Sequence, residues 1–222
     1  VDLSKLSGPE LTKFLNDFSK LRSLLDSASR SLTTYTKEFE EQQAVVNDAL
    51  KTLNSKKSIK SDKLKEKKDA LQQVNLKGHT YFNKDTGKQV TNIETIIKLF
   101  KDGLLEIRGE KGKKAISEES YNKVVESTGI KKYSEASEAY ETAKTEVTSQ
   151  QTIVNAEKAK LEGLPQSGDV HPVTQEVQQH SANAEGLFSD IRNQEDEKQE
   201  EEINKTTEAI NKQIPTIEKQ TS

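Results

Sequence analysis

The sequence predicts a mainly α-helical protein: an elongated antiparallel coiled coil or helical bundle that carries a small mixed α/β insert. Apolar residues recur from Leu11 to Leu53 at alternating steps of three and four, with Gln42 as the polar exception. This spacing draws one narrow stripe along a helix, and the stripe needs a partner helix to cover it. The composition agrees, because a chain that is 32% charged and 31% hydrophobic suits thin bundles better than a wide core.

We divide the chain into three regions, of which residues 1–75 hold the long heptad helix. This helix is expected to start near Pro9, where the missing amide costs nothing, and to run to about Asn54. A helical pattern resumes at Leu64. The polar stretch Ser55–Asp62 is either an exposed continuation of the helix or a turn, and we favour a turn that folds the two helices into a hairpin. The stripe consists of Leu11, Phe14, Phe18, Leu21, Leu25, Ala28, Leu32, Tyr35, Phe39, Val46, Ala49 and Leu53.

Residues 76–133 form the predicted insert and contain most of the glycines. Two β-rich segments, residues 79–82 and 89–91, flank a polar turn, which predicts a short hairpin with Gly87 at positive φ. Asn92 is placed to cap a short apolar helix that Gly103 ends. A strand is expected at residues 104–107. A second short helix follows over residues 117–127, with Ser117 as its cap and Gly129 as its end.

Residues 134–222 hold the C-terminal helices of the stalk. Ser134 is expected to cap a long helix that stops near Gly163. The last helix begins near Val173, loses its apolar stripe over residues 193–202, recovers it from Ile203, and ends or kinks at Pro215. Either of these two helices could pair with the heptad helix of residues 11–53, and the sequence leaves the choice open.

The residues do not support a catalytic, cofactor or metal site. The three histidines are scattered, and His180 is expected at a helix interface rather than as a ligand. Residues 83–94 faintly resemble a calcium loop, but Lys88 occupies the position that requires glycine, so we favour a plain hairpin turn. Residues 109–114 are rich in glycine and lysine without the spacing of a phosphate-binding loop. The carboxylates of residues 195–202 are typical of a solvated helix face. We therefore predict a protein that is not an enzyme and has no cofactor.

Partner binding is the function class that remains. The insert and its C-terminal border carry lysines that could form a positive patch for an acidic protein partner. We take as candidate partner-binding residues Lys84, Lys88, Lys111, Lys113, Lys114, Lys131 and Lys132. Charges of both signs are mixed along the helices and the net charge is −3, which argues against nucleic acid as the partner. We expect no membrane-spanning segment and no small-molecule substrate.

The order of these elements resembles the needle-tip and filament proteins of type III secretion. In addition, Val1–Ser7 resembles the lead-in of the filament subunits, and the short helices and strand of residues 92–125 resemble their central segment. Residues 81–90 are also similar to one unit of the sugar-binding hairpin repeats of Gram-positive surface proteins, which need tandem copies. The first resemblance implies two long helices paired as a stalk, with a small domain built between them.

These observations lead to two functional expectations. The first is a secreted or surface-exposed interaction protein, similar to a needle tip, that presents the insert to a secretion-apparatus or host partner. The alternative is a cytoplasmic or virion structural protein that assembles through its heptad stripes. Because the chain contains no methionine, we also expect that a segment preceding Val1 was removed.

Overall fold

The structure, a computed structural model, describes residues 5–6, 8–31, 36–164 and 172–216, without the side chains of residues 29–31 and 172–175. This part of the chain is mainly helical and contains a three-stranded antiparallel sheet, which confirms the predicted fold class in its coarse form. The elongated coiled-coil form stays a prediction. The elements are α1 (Gly8–Ser31), α2 (Lys37–Gln72), β1 (His79–Asn83), β2 (Gln89–Val90), α3 (Ile93–Lys101), β3 (Leu105–Gly109), α4 (Glu118–Ser127), α5 (Ile130–Glu162) and α6 (Pro172–Gln213).

The chain divides into two compact units of similar size. Unit 1 consists of Val1–Lys60 and Lys144–Glu197, and unit 2 consists of Ser61–Ala143 and Lys198–Ser222. Helices α2, α5 and α6 each contribute residues to both units. The secondary-structure elements described in unit 1 are therefore all helices, whereas unit 2 contains the three-stranded sheet together with α3 and α4.

In unit 1 the helices pair in antiparallel order. The ring of Phe18 in α1 lies 4.1 Å from that of Phe188 in α6, and further along α1 Arg22 forms an ion pair with Glu185. Partner numbers fall on α6 as they rise on α1, so these helices run in opposite directions. The sequence leaves open which helices pair. In unit 1, α1 contacts α6 and α2 contacts α5, and Arg192 of α6 also reaches the main-chain oxygen of Asn54 in α2.

Two glutamines fix the register of α2 against α5. Gln42, the polar exception in the stripe, donates from Nε2 to the main-chain oxygen of Glu157 at 3.0 Å. Gln150 is buried and donates to the main-chain oxygen of Ala49 at 3.0 Å. A buried amide needs such partners because an unpaired one costs free energy. The polar residues in the stripes therefore select one alignment of the two helices.

The predicted helix from residue 11 to residue 53 is wrong as a single element. Thr36 lies outside helical geometry, and its hydroxyl accepts a hydrogen bond from the amide of Phe39 at 3.2 Å, so it caps the start of α2. Leu32 and Tyr35 lie outside the described residues. The turn that we favoured at Ser55–Asp62 is also wrong. Helix α2 continues through this stretch. Its lysines and serines are compatible with a helix that is partly exposed to solvent.

The sheet of unit 2 has the strand order β2-β1-β3, with both pairs antiparallel. Tyr81 lies opposite Val90 on one side and Ile107 on the other. The predicted hairpin, the strand after Gly103 and the two short helices are all confirmed. Gly87 has a φ of 69°, as the turn requires. Asn92 caps α3 by accepting hydrogen bonds from two backbone amides.

The core of unit 2 joins the sheet and α3 to the ends of three long helices. Tyr81 is fully buried, and its hydroxyl donates to the main-chain oxygen of Leu76 at 3.2 Å. Helix α6 contributes Ile203 and Ile210 to the same cluster, and Ile214, directly after the helix, joins them. The stripe that we predicted to recover from Ile203 is therefore confirmed as core. The helix ends at Gln213, two residues before Pro215, as expected.

The predicted start of the long helix at Ser134 is wrong. Helix α5 begins at Ile130, and Ser134 is a buried residue within it. Gly129 explains the difference, because its φ of 83° turns the chain sharply after α4 and directs the fully buried Ile130 into the core. At Gly129 an added Cβ would lie 3.3 Å from both the main-chain oxygen of Gln73 and the Cα of Val74. This glycine is therefore required by backbone geometry and by close packing together.

Replacing Gly129 with alanine should lower the free energy of unfolding by about 2–3 kcal/mol, because the strained φ and the backbone crowding add. The matched control is Gly103→Ala, where φ is 71° and an added Cβ meets nothing within 4 Å. That control should cost only about 1 kcal/mol. Urea titrations followed by circular dichroism measure both changes. Equal losses would contradict the packing role of Gly129.

Candidate functional site

The turn that resembles a calcium loop is held by its own hydrogen bonds. Oδ1 of Asn83 accepts from the amides of Asp85 at 2.9 Å and Thr86 at 3.3 Å. The side-chain oxygen that would begin a calcium loop thus stabilises the hairpin instead. In the described part of the chain, no group of three or more histidine and acidic side chains is placed to hold a metal ion.

The candidate partner-binding lysines are all exposed, but they lie in separate places. Lys84 and Lys88 belong to the turn between β1 and β2, next to the pair Asn83–Leu105. Lys111, Lys113 and Lys114 follow β3, next to the pair His79–Gly109 at the opposite end of the strands. Four residues of strand separate these ends, which corresponds to about 14 Å. The sheet therefore holds the two lysine groups apart.

The other two candidates lie at the start of α5. Lys131 forms an ion pair with Glu126 of α4 at 3.7 Å. Lys132 borders a groove of about 650 Å³ between α2 and α5 that is open to solvent. No serine, threonine, cysteine or histidine lines this groove. Its lining residues are Glu66, Asp69, Ala70, Gln73, Lys132, Glu135, Ala136 and Ala139.

A different surface emerges from the distribution of apolar side chains. Among the described residues, every large apolar side chain that is exposed lies in unit 1. Four of the seven are leucines of the paired helices α1 and α6, and we call them the leucine face: Leu21 (52% exposed), Leu24 (68%), Leu25 (41%) and Leu187 (56%). The other three are Val45, Ile59 and Ile153.

Three members of the leucine face, Leu21, Leu24 and Leu187, lie on one flank of the α1–α6 pair, and Leu25 lies beside that flank, about 20° around α1 from the contact residue Phe18. Leu21 and Leu24 are rotated about 60° and about 120° in one sense around α1 from the contact residue Phe18. Leu187 is rotated about 100° around α6 from the contact residue Phe188 in the same sense. Because the two helices are antiparallel, rotations of the same sense lead to the same side of their contact. The leucines of both helices therefore border one surface.

The opposite flank of α1 is the covered one. Leu15 is 8% exposed there, and Arg22 reaches Glu185. The predicted stripe placed Leu21, Leu25 and Ala28 in the core, which is wrong because all three are exposed, Leu21 to 52% and Leu25 to 41%. His180 is exposed as well, so its predicted place in a helix interface is wrong. The apolar arc of α1 is too wide for one neighbouring helix, and α6 covers only part of it.

Burial of the exposed leucines would contribute stabilising free energy that the isolated chain does not gain. Full burial of a leucine contributes about 1.5–3 kcal/mol, so the exposed fractions of the four together leave about 3–6 kcal/mol unrealised. The contrast with unit 2 is large: among the described residues of unit 1, the buried apolar cluster consists of Ala49, Leu53 and Val154, and Leu11, Leu15, Phe39 and Val46 are buried outside it. Apolar patches of this kind mark interaction sites in soluble proteins.

Polar residues take up inward positions of unit 1 that apolar residues would otherwise fill. Lys57 of α2 is partly buried, and this burial lowers the pKa of its amine. The positive charge of Arg192 lowers that pKa further, whereas the charge of Glu185 raises it. Arg192 also donates to the main-chain oxygen of Asn54 at 3.5 Å. This part of unit 1 therefore adds little apolar burial.

Comparison of the chain with models of known protein families, with curated proteins and with solved structures finds no match. Within the described residues, no helix is both long enough and apolar enough to span a membrane. The sequence did not single out the leucine face as a site. The signal that could have found it is the adjacent pair Leu24 and Leu25, which widens the apolar arc of α1 beyond one stripe.

Leu24→Asp should change the free energy of unfolding of the dilute protein by no more than about 0.5 kcal/mol, because the side chain is already exposed. Leu15→Asp, on the covered flank of the same helix, should cost more than about 3 kcal/mol, because it buries an unpaired charge. Urea unfolding at low protein concentration compares the two variants. A large loss for Leu24→Asp would mean that the leucine face belongs to the core.

Proposed function

We propose that this protein is a non-enzymatic interaction or assembly protein and that the leucine face is its docking surface. The observation that carries the proposal is the placement of four leucines, each 41–68% exposed, on or directly beside one flank of two paired helices. Helices that expose apolar residues at steps of three and four dock against other helices or apolar grooves. Leu21, Leu24, Leu25 and Ala28 have this spacing.

This surface favours assembly through a helical stripe over presentation of the insert. No large apolar side chain is exposed in the described part of unit 2, and its candidate lysines lie apart. Apolar side chains supply most of the energy in stable interfaces, whereas exposed charges add little. Antiparallel coiled-coil pairing of α1 with α6 and of α2 with α5 is part of this proposal.

The tip-like function is a second candidate, supported by a different observation. Unit 2 has its own sheet and its own extensive core, so it could serve as a rigid presented domain. Under this alternative, a partner of type III secretion or of a host surface would bind the exposed lysines of the hairpin or of the loop after β3. Neither candidate requires a catalytic step.

A photo-crosslinking amino acid at position 24 tests the docking surface. The matched control carries the same group at position 59, where Ile59 is 46% exposed on α2 and outside the leucine face. Both proteins are irradiated in an extract of the cells that produce the chain, and adducts are separated by mass. We expect adducts at position 24 in clear excess over position 59. Equal yields at the two positions would contradict the proposal.

A further inference from the structure

The leucine face continues an interface that already exists inside the protein. Phe14 and Phe18 occupy the first steps of the α1 stripe, and their rings contact Phe188 of α6 at 5.5 Å and 4.1 Å. The next steps of the same stripe are Leu21 and Leu25, which are half-exposed. One helix therefore uses the first part of its stripe within the chain and leaves the second part uncovered.

The uncovered part of the stripe is nearly free of charge. The exposed residues from 21 to 28 are leucine, serine and alanine. The two charged side chains in this stretch, Arg22 and Asp26, are partly buried and lie 4.0 Å apart, and Arg22 also contacts Glu185. A charged partner would lose solvation at such a surface without gaining an opposite charge. An apolar partner flanked by small neutral residues fits it better.

A second copy of the chain has this chemistry. In a two-fold arrangement the same surface lies on both sides of the interface, so each leucine face is covered by the other and the buried apolar area doubles. Serine and alanine between the leucines allow two helices to approach closely. We propose, building on the docking function above, that the leucine face binds the leucine face of a second copy, with α1 against α1 about a two-fold axis.

Sedimentation velocity over a concentration series from about 1 µM to about 1 mM tests the dimer, since a modest apolar interface gives a Kd in this range. The wild-type chain should pass from monomer to dimer. Leu24→Asp should raise the dissociation constant at least about tenfold. Ile59→Asp, an exposed position outside the face, should leave it unchanged. A wild-type chain that stays monomeric throughout would overturn the proposal.

Cysteine crosslinking locates the interface, because the chain has no cysteine of its own. A residue near a two-fold axis meets its own copy, so Leu24→Cys should form a disulfide-linked dimer under mild oxidation, and Ile59→Cys should not. A dimer that crosslinks equally through both positions would overturn the proposed interface. The photo-crosslinking experiment separates this proposal from the docking function. If position 24 crosslinks to a protein of a different mass while the wild-type chain stays monomeric, the second copy is refuted as the partner and the docking function stands.

Discussion

The packing of the small sheet and α3 against α2, α5 and α6 is the interaction on which unit 2 depends. The chain has few apolar residues, and this cluster contains most of those that are buried in the described part of the chain. Ile93 stabilises unit 2 in two ways. Its side chain is fully buried, and its amide, which a helix start would leave unpaired, donates to Oδ1 of Asn211 in α6 at 2.8 Å. Apolar burial and backbone pairing therefore reinforce each other in unit 2.

Unit 1 is stabilised by the smaller number of apolar residues that remain and by polar contacts. Its helices align through Gln42, Gln150 and the ion pair of Arg22, while its buried apolar cluster is small. Polar contacts specify which helices pair and in which register, but they contribute little net stability. The leucines that could have enlarged the core face solvent instead. These exposed leucines contribute little to the stability of the isolated chain, and they would contribute more if a bound partner covered them.

The sequence predicts the small elements better than the long ones. Asn92, Ser117 and Gly87 act locally, through caps and a positive φ, so the hairpin and the short helices could be recognised from single residues. Helix boundaries at Thr36 and Ile130 depend on capping and packing that heptad counting does not detect. Predicting the leucine face requires knowing which flank of α1 is covered by α6. The periodicity of the apolar residues does not contain that information.

Hydrogen exchange of the dilute, monomeric protein tests the central claim most directly, namely that apolar burial is concentrated in unit 2 and leaves α1 lightly held. Exchange rates report the local free energy of opening. We predict that amides of α1 between Leu21 and Ala28 exchange at least about 100-fold faster than those of Tyr81 and Ile107 in the sheet. Equal protection of α1 and the sheet would contradict the account, because α1 would then be as firmly packed as the core of unit 2.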